Sequence, residues 1–599
     1  MTRLVRYRQL VRACAAACAC AAGLATTAGC DSSEGEARGL ADAPVIRAVA
    51  PTLIDVATGA AVSQVPQARP DSIPKDSIAE LPRATVNPRV SDSAGVRVVR
   101  VGANDNLQAV LNRARGGDVI MLPSGARYVG NFKLPSRPCS AGWITIRTAL
   151  PDSLLPAPGR RITPELAPRL ARLATPNHDP VIRTENPTCR WRFLALDVTV
   201  DYQGRKAPDI AYVLMALGDG GWKGGGDTQT SLDKVPSEIL LDRVYIHGDA
   251  NSNLVRCVAL NTAQSAIVDS WISECHAKGF DSQAVEGWNG PGPYLIENNF
   301  LAGAGENVMF GGADPGIQNL IPSDITIRRN HFWKDPAWKG RWTVKNLFEL
   351  KNAKRVLIEG NVFENNWADA QSGMAIVIKS APDRAAAAPW TQTADVTFRY
   401  NIVRKSPRGF NVQGVDAGAR LPVARVRAEN NLFYDIGEFN GTSSGWLNLV
   451  THAPTDITIR NNTMVNNTRD AGLALVMDYG NGQARRLHVE DNIFTNPAGY
   501  AVFYSGTAAG VASLRAMAGD SWTFMRNVVA GVARDVVSLH PPRNFYPATT
   551  AAIGFFDPAN GDYRLASRSD FKGLGRGGKD PGADVAEVKR RTAGVVVLP

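Results

Sequence analysis

The 599-residue chain predicts an all-β solenoid of stacked parallel strands, and three observations carry that expectation. A β-branched strand, a polar pair ending in Asn and then an apolar residue recur, with the Asn at 299, 330, 361, 401, 431, 462, 492 and 527. The steps are 31, 31, 40, 30, 31, 30 and 35 residues, a period near 30 that marks a repeat architecture. Each copy holds short strands with period-two alternation, such as Ile325-Thr326-Ile327-Arg328, and nothing long enough for a two-helix unit. A coil of two or three short strands cannot bury its own apolar face, so coils must stack. A tight corner needs left-handed or bridge backbone, which Asn tolerates. Stacked Asn side chains can then bond from coil to coil. The recurring Asn are read as a corner ladder, not as a sugar-binding row.

The elements follow in chain order. Arg3, Arg6, Arg8 and Arg12 precede an Ala/Cys-rich stretch and Leu24-Ala25-Thr26-Thr27-Ala28-Gly29-Cys30, a secretory signal over 1–30 too short to span a bilayer. Residues 31–92 are rich in Pro, Ala, Ser, Asp and Arg without periodicity, and are expected to form a disordered tether. The strand repeat makes 93–545 one solenoid of about a dozen coils. A helix over 104–115 opens it, with Leu107, Val110, Leu111 and Ala114 on one face as a cap requires. Residues 546–599 are a C-terminal segment.

Eight Cys occur; Cys14, Cys18 and Cys20 leave with the signal. Cys139, Cys189, Cys257 and Cys275 are an even set in an exported chain, which suggests disulfides. Cys257 and Cys275 lie one short coil apart and could bridge stacked coils, leaving Cys139 for Cys189. No CxxC or HxxxH spacing points to zinc. The formal charge of +10 includes four signal arginines, so the mature chain is near +6, which suits an acidic polysaccharide and not nucleic acid.

Aligning one strand coil by coil gives Phe348-Glu349-Leu350-Lys351, Ile376-Val377-Ile378-Lys379 and Phe410-Asn411-Val412-Gln413. Alternation puts Phe348, Leu350, Ile376, Ile378, Phe410 and Val412 inside. It puts Glu349, Lys351, Lys379, Asn411 and Gln413 outside. Lys351 and Lys379 then share a slot on adjacent coils, about 5 Å apart. Such a pair can bind a carboxylate and depress one lysine toward a usable base. Arg404, Lys405 and Arg408 are expected on the connection before Phe410. Asp281, Gln283, Glu286, Glu306 and Asn307 are expected to extend the face. Trp288, in a Gly/Pro-rich turn, is a candidate sugar-stacking residue, with packing under its own loop as the competing and favoured reading. Trp333, Trp338, Trp342 and Trp367 raise the same question. His247, His276, His331 and His452 share no slot and suggest no metal.

The chain resembles the right-handed parallel β-helix superfamily of pectate-lyase-like proteins. The resemblance rests on Asn106-Leu107-Gln108-Ala109-Val110-Leu111-Asn112-Arg113-Ala114, then Gly116-Gly117-Asp118-Val119-Ile120-Met121-Leu122, and on the repeat itself. The segment from Phe348 to Asn352, followed by Val356 to Phe363, is similar to a stretch of the alginate and chondroitin lyases of that fold. That resemblance implies Lys351 as base, Glu349 as a Ca²⁺ ligand, and Lys379 or Arg408 in the acid's place, where the family has Arg. Ala28-Gly29-Cys30 resembles a lipobox, implying lipidation at Cys30 and attachment to the bacterial cell envelope. The expected protein is a monomeric polysaccharide lyase acting on a uronate polymer by β-elimination. A non-catalytic glycan-binding or structural protein, and a glycoside hydrolase using Asp281 with Glu306, are the other readings.

Overall fold

The computed structural model describes residues 78–90, 96–221, 228–468, 472–478, 482–497, 499–504 and 509–596. Cys30 and the signal lie outside the described residues. The body is a parallel β-helix of three sheets: sheet A with 14 strands, sheet B with 13 and sheet C with 12. Each coil visits A, B and C in turn, so every strand pairs in parallel with its counterpart one coil away. In sheet A, for example, Val356 faces Ile325 on one side and Val396 on the other. One continuous apolar core fills the interior from Val101 to Val536. Within it aromatic rings stack between coils, as Phe332 on Phe363 at 4.2 Å. Among the described residues no helix is long and apolar enough to cross a membrane.

The Asn ladder sits at the corner between sheets A and B. Each buried Asn donates its amide Nδ2 to Oδ1 of the next Asn, 3.0 Å from Asn361 to Asn401, and to a carbonyl of the preceding coil, 3.0 Å to Ile327 O. Its backbone N–H meets the same Oδ1 at 2.9 Å. The ladder runs from Asn299 and ends on Asn544. The left-handed backbone, expected at the ladder residue, belongs instead to the residue before it: Asn298, Arg329, Tyr400, Asn430 and Asn461 have φ between 49 and 58°. That turn aims the ladder side chain inward, where burial strengthens each bond.

A helix, Leu107–Arg113, starts at Asn106, whose side chain accepts from Ala109 N. Leu107 and Leu111 join the core, and the Gln108 side chain bonds both backbone atoms of Lys133. Both disulfides pair as sequence suggested, Cys139–Cys189 and Cys257–Cys275. Cys257 lies on sheet C and Cys275 on sheet B of the next coil, so that bridge clamps neighbouring coils.

The tether expected to reach residue 92 is shorter. Residues 78–90 lie along sheet A, where Glu80 N donates to Asp395 Oδ1 at 3.2 Å and Arg83 N to Asp324 Oδ1 at 2.9 Å. Val86 and Val90 pack on Leu240, Ala266 and Leu295. At the other end Tyr563, Val585 and Val588 pack on Leu432 of sheet B.

Candidate functional site

The charged column falls on the outer face of sheet C. The strand register aligns Glu286, Met309, Glu349, Val377 and Asn411 across five coils. Two residues further along each strand, Lys379 pairs with Gln413, and Lys351 occupies the same slot because Leu350 pairs with Ile378. Phe348, Leu350, Ile376, Ile378, Phe410 and Val412 are all in the core, so the alternation there is as expected. Gly311 holds that slot on the coil before Lys351, with φ of +91°; a Cβ there would come 2.9 Å from the Cβ of Lys351. Glycine at 311 therefore clears room for the lysine.

The two ammoniums do not face each other unscreened. Glu349 lies beneath them, fully buried, with Oε1 3.1 Å from Lys379 Nζ and Oε2 4.0 Å from Lys351 Nζ. Lys379 also meets Asp416 at 3.0 Å. The Lys351 and Lys379 side chains keep 14 % and 13 % of their surface, while Asp281 and Asp416, paired with Lys345 and Lys379, keep 41 % and 39 %. On the preceding coils Glu286 pairs with Arg256, and Lys345 bridges Asp281 and Glu306, the latter at 4.0 Å. Gln283 donates to Glu306 Oε2 at 2.8 Å, and Asn346 donates to Glu349 Oε2 at 3.2 Å.

Burial and charge set opposite directions here. Burial pushes the Glu306 carboxyl up to about 8, against the pull of Lys345. Burial also raises Glu349, but Lys351, Lys379 and Lys345 outweigh it and hold that carboxyl below the usual range. Burial pulls the Lys351 ammonium down, yet Glu349, Glu306, Asp281 and Glu286 outweigh it and raise it. The depressed lysine expected from like-charge repulsion is thus not what this face holds, because four carboxylates surround Lys351.

Several expected site residues stand elsewhere. Asn307 turns into the B–C corner and donates to Leu301 O at 2.6 Å and Trp333 O at 2.8 Å. Trp288 is buried against Val213, Ala216 and Ala259, with its indole N–H on Gly220 O at 3.0 Å, so it offers no stacking face. Arg404 and Lys405 belong to a strand of sheet B, Ile402–Ser406, not to a connection before Phe410, and Arg404 pairs with Glu364. Arg408 is on sheet C but in a different column, in register with Met374, its guanidinium 4.1 Å from the Trp446 ring. Trp338, Trp342 and Trp367 are buried in a cluster over sheet B. Asn411, nearly buried, has no hydrogen-bond partner for Oδ1 among the described residues, and Gln413 donates to Val415 O at 3.4 Å. Lys345 and Lys334, both on loops, were not singled out from sequence; no strand period marks them.

Calcium takes about six to eight oxygen ligands. Glu349 Oε1 lies 3.1 Å from Lys379 Nζ, whereas Gln283 Oε1, Glu286 Oε1, Glu306 Oε1 and Asn346 Oδ1 are buried without a hydrogen-bond partner among the described residues. Among the described residues no three carboxylate, His or Cys ligand atoms converge within 4.8 Å on this face. The cations on this face are Lys345, Lys351 and Lys379. Asp281 and Glu306 share Lys345 and do not form the free pair a hydrolase would need.

Residues 256–514 match the family model described as right handed beta helix region. No curated protein sequence matches the chain. Among solved structures the chain is similar to the PL6 family alginate lyase AlyGC, at 12 % identity and a TM-score of 0.39, covering 84 % of this chain and 59 % of that one. It is also similar to a mannuronic acid specific polysaccharide family 6 lyase from the human gut microbiota, at 12 % identity and TM-score 0.38, covering 75 % and 91 %. A family 28 exopolygalacturonase of Yersinia enterocolitica matches at 12 % identity and TM-score 0.34, covering 65 % and 75 %. The chain spans about three fifths of the length of AlyGC. The three parallel sheets and the matching family model show the fold: the protein is a right-handed parallel β-helix.

Proposed function

We propose that the protein is an exported carbohydrate-active β-helix that binds a uronate polysaccharide on sheet C and cleaves it by β-elimination. The observation that carries this reading is the lysine row: Lys351 and Lys379 share one slot on adjacent coils, partly exposed, over the buried Glu349. A uronate carboxylate placed against the Lys379 ammonium, with Lys351 beside it as the free amine, loses part of its charge, which acidifies the proton on the neighbouring carbon. The free amine of Lys351 takes that proton. The electron pair forms the C=C bond as the glycosidic oxygen leaves, and Lys379 returns a proton to it. Because its carboxylate neighbours keep Lys351 protonated, the rate rises with pH into the alkaline range. The disulfides support an oxidising compartment outside the cytoplasm. Lipidation at Cys30 and a monomeric state remain part of the proposal.

The test is ultraviolet absorbance of unsaturated products over a panel of alginate, pectate, chondroitin, heparin and bacterial uronate polymers, with Ca²⁺ and with chelator. A rise that survives chelation and disappears in Lys351→Ala supports the reading. A flat trace with measurable binding lost in Lys351→Ala leaves a glycan-binding protein. Saturated reducing ends would move the assignment to a hydrolase.

A further inference from the structure

One lysine lies inside the fold, away from solvent and from the exposed row. Lys334 follows strand His331–Trp333 of sheet B and is fully buried. Its Nζ bonds three successive carbonyls, Gly303 at 2.7 Å, Ala304 at 2.9 Å and Gly305 at 2.9 Å. Three acceptors need three N–H donors, which only the ammonium form provides. Burying that charge is unfavourable before its bonds are counted, and an apolar side chain of the same length would fill the space without it. The carbonyls belong to the turn that ends at Glu306, one coil earlier. That turn presses on the coil before it: a Cβ on Gly303 would lie 2.7 Å from Ala284 N, and one on Gly305 2.6 Å from Ser282 N. Glu306 N then donates to Ser282 O at 3.0 Å. The turn is thus gripped from both neighbours, and its last residue carries the carboxyl beside Lys345, Lys351, Asp281 and Glu349. Burial pulls the Lys334 ammonium down to about 7, against the pull of Glu306.

We propose that Lys334 is a positioning residue for the sheet C site: by clasping the carbonyls of 303–305 it fixes where Glu306 stands relative to Lys345. This deepens the proposed function and rests on it for its relevance to a uronate ligand, but the contact itself is testable without one. The experiment compares the full chain with Lys334→Met, Glu306→Gln and the double variant. The first readout is the pH profile of Lys345 labelling by an amine-selective reagent, mapped by peptide mass. Lys345 is held as an ammonium by Glu306 and Asp281, so displacing or neutralising Glu306 lowers the pH at which Lys345 reacts. Lys334→Met is expected to lower it, Glu306→Gln to lower it, and the double variant to match Glu306→Gln alone. An equal effect of Lys334→Met with and without Glu306, or none in either, overturns the proposal and leaves Lys334 a structural residue. If Lys334→Met does not fold, Gly305→Ala keeps the lysine, pushes the carbonyl cage off it and is expected to give the same pattern. The second readout is affinity for a uronate oligosaccharide, at least tenfold weaker in Lys334→Met but unchanged by it in the Glu306→Gln background. No affinity in any variant counts against the proposed function, while the labelling profile still decides the role of Lys334.

Discussion

Glu349→Gln is the sharpest probe of the lysine row. Gln keeps the shape and can still accept from Asn346, so the change removes charge and little else. Lys351 Nζ stands 4.0 Å from Glu349 Oε2. Two unit charges about 4 Å apart attract by about 4 kcal/mol at an effective dielectric near 20, which corresponds to about three pKa units. Glu306, Asp281 and Glu286 still face Lys351 after the substitution, and water reaches the exposed part of its side chain. The expected fall in the Lys351 pKa is therefore about one to three units. The assay is amine labelling against pH, since only the free base reacts, with Lys351 and Lys379 followed separately. Lys379 keeps Asp416 at 3.0 Å and is expected to move less. In a turnover assay the rise of rate with pH should shift to lower pH by the same amount. A Lys351 profile that stays put, or moves upward, would refute the claim that Glu349 sets its protonation.

Other outcomes follow from the same geometry. Asn361→Ala strips the acceptor from the Asn330 backbone and side-chain amides and the donor from Ile327 O; leaving such groups unmet inside should cost about 3 kcal/mol or more in chemical denaturation. Replacing Cys257 and Cys275 by Ser opens a link of 18-residue separation and should cost about 3 kcal/mol by the same measurement. Glu364 is buried, which raises its carboxyl, but His331 and Arg404 outweigh this and bring it down to about 2. Its stabilising contribution is complete above the unfolded value near 4.5 and is lost as pH falls toward 2. The acid-side loss of melting temperature should therefore be smaller in Glu364→Gln, and an unchanged slope would exclude that pairing as a source of acid sensitivity.

Much of the architecture was legible because one period governs it. The Asn spacing located the A–B corner, and strict alternation through Phe348 to Leu350, Ile376 to Ile378 and Phe410 to Val412 placed Lys351 and Lys379 correctly. The same alternation failed two residues upstream. There the strand turns two successive side chains inward, Leu347 with Phe348 and Ala375 with Ile376, as the chain bends from sheet B into sheet C. Asn307 is therefore in the corner and not on the face expected for it, whereas Glu306 is on the charged side as expected. Trp288 was ambiguous because loop burial depends on residues 218–220, distant in sequence. Lys334 and Lys345 lie in a loop of irregular length, where no period says which way a side chain turns.

The strap of residues 78–90 reverses the order of assembly. Glu80 and Arg83 bind partners 315 and 241 residues further along the chain. A chain synthesised from its N-terminus delivers this segment first, yet its docking sites exist only after the coils holding Asp324 and Asp395 have stacked. Most contacts in the solenoid join neighbouring coils and can form as the chain emerges, whereas these carry the loop-closure cost of several hundred residues. The strap thus works as a late latch. Until it closes, the apolar patch of Leu240, Ala266 and Leu295 on sheet A stays open to other surfaces, which makes it the place where an incompletely folded molecule can be recognised.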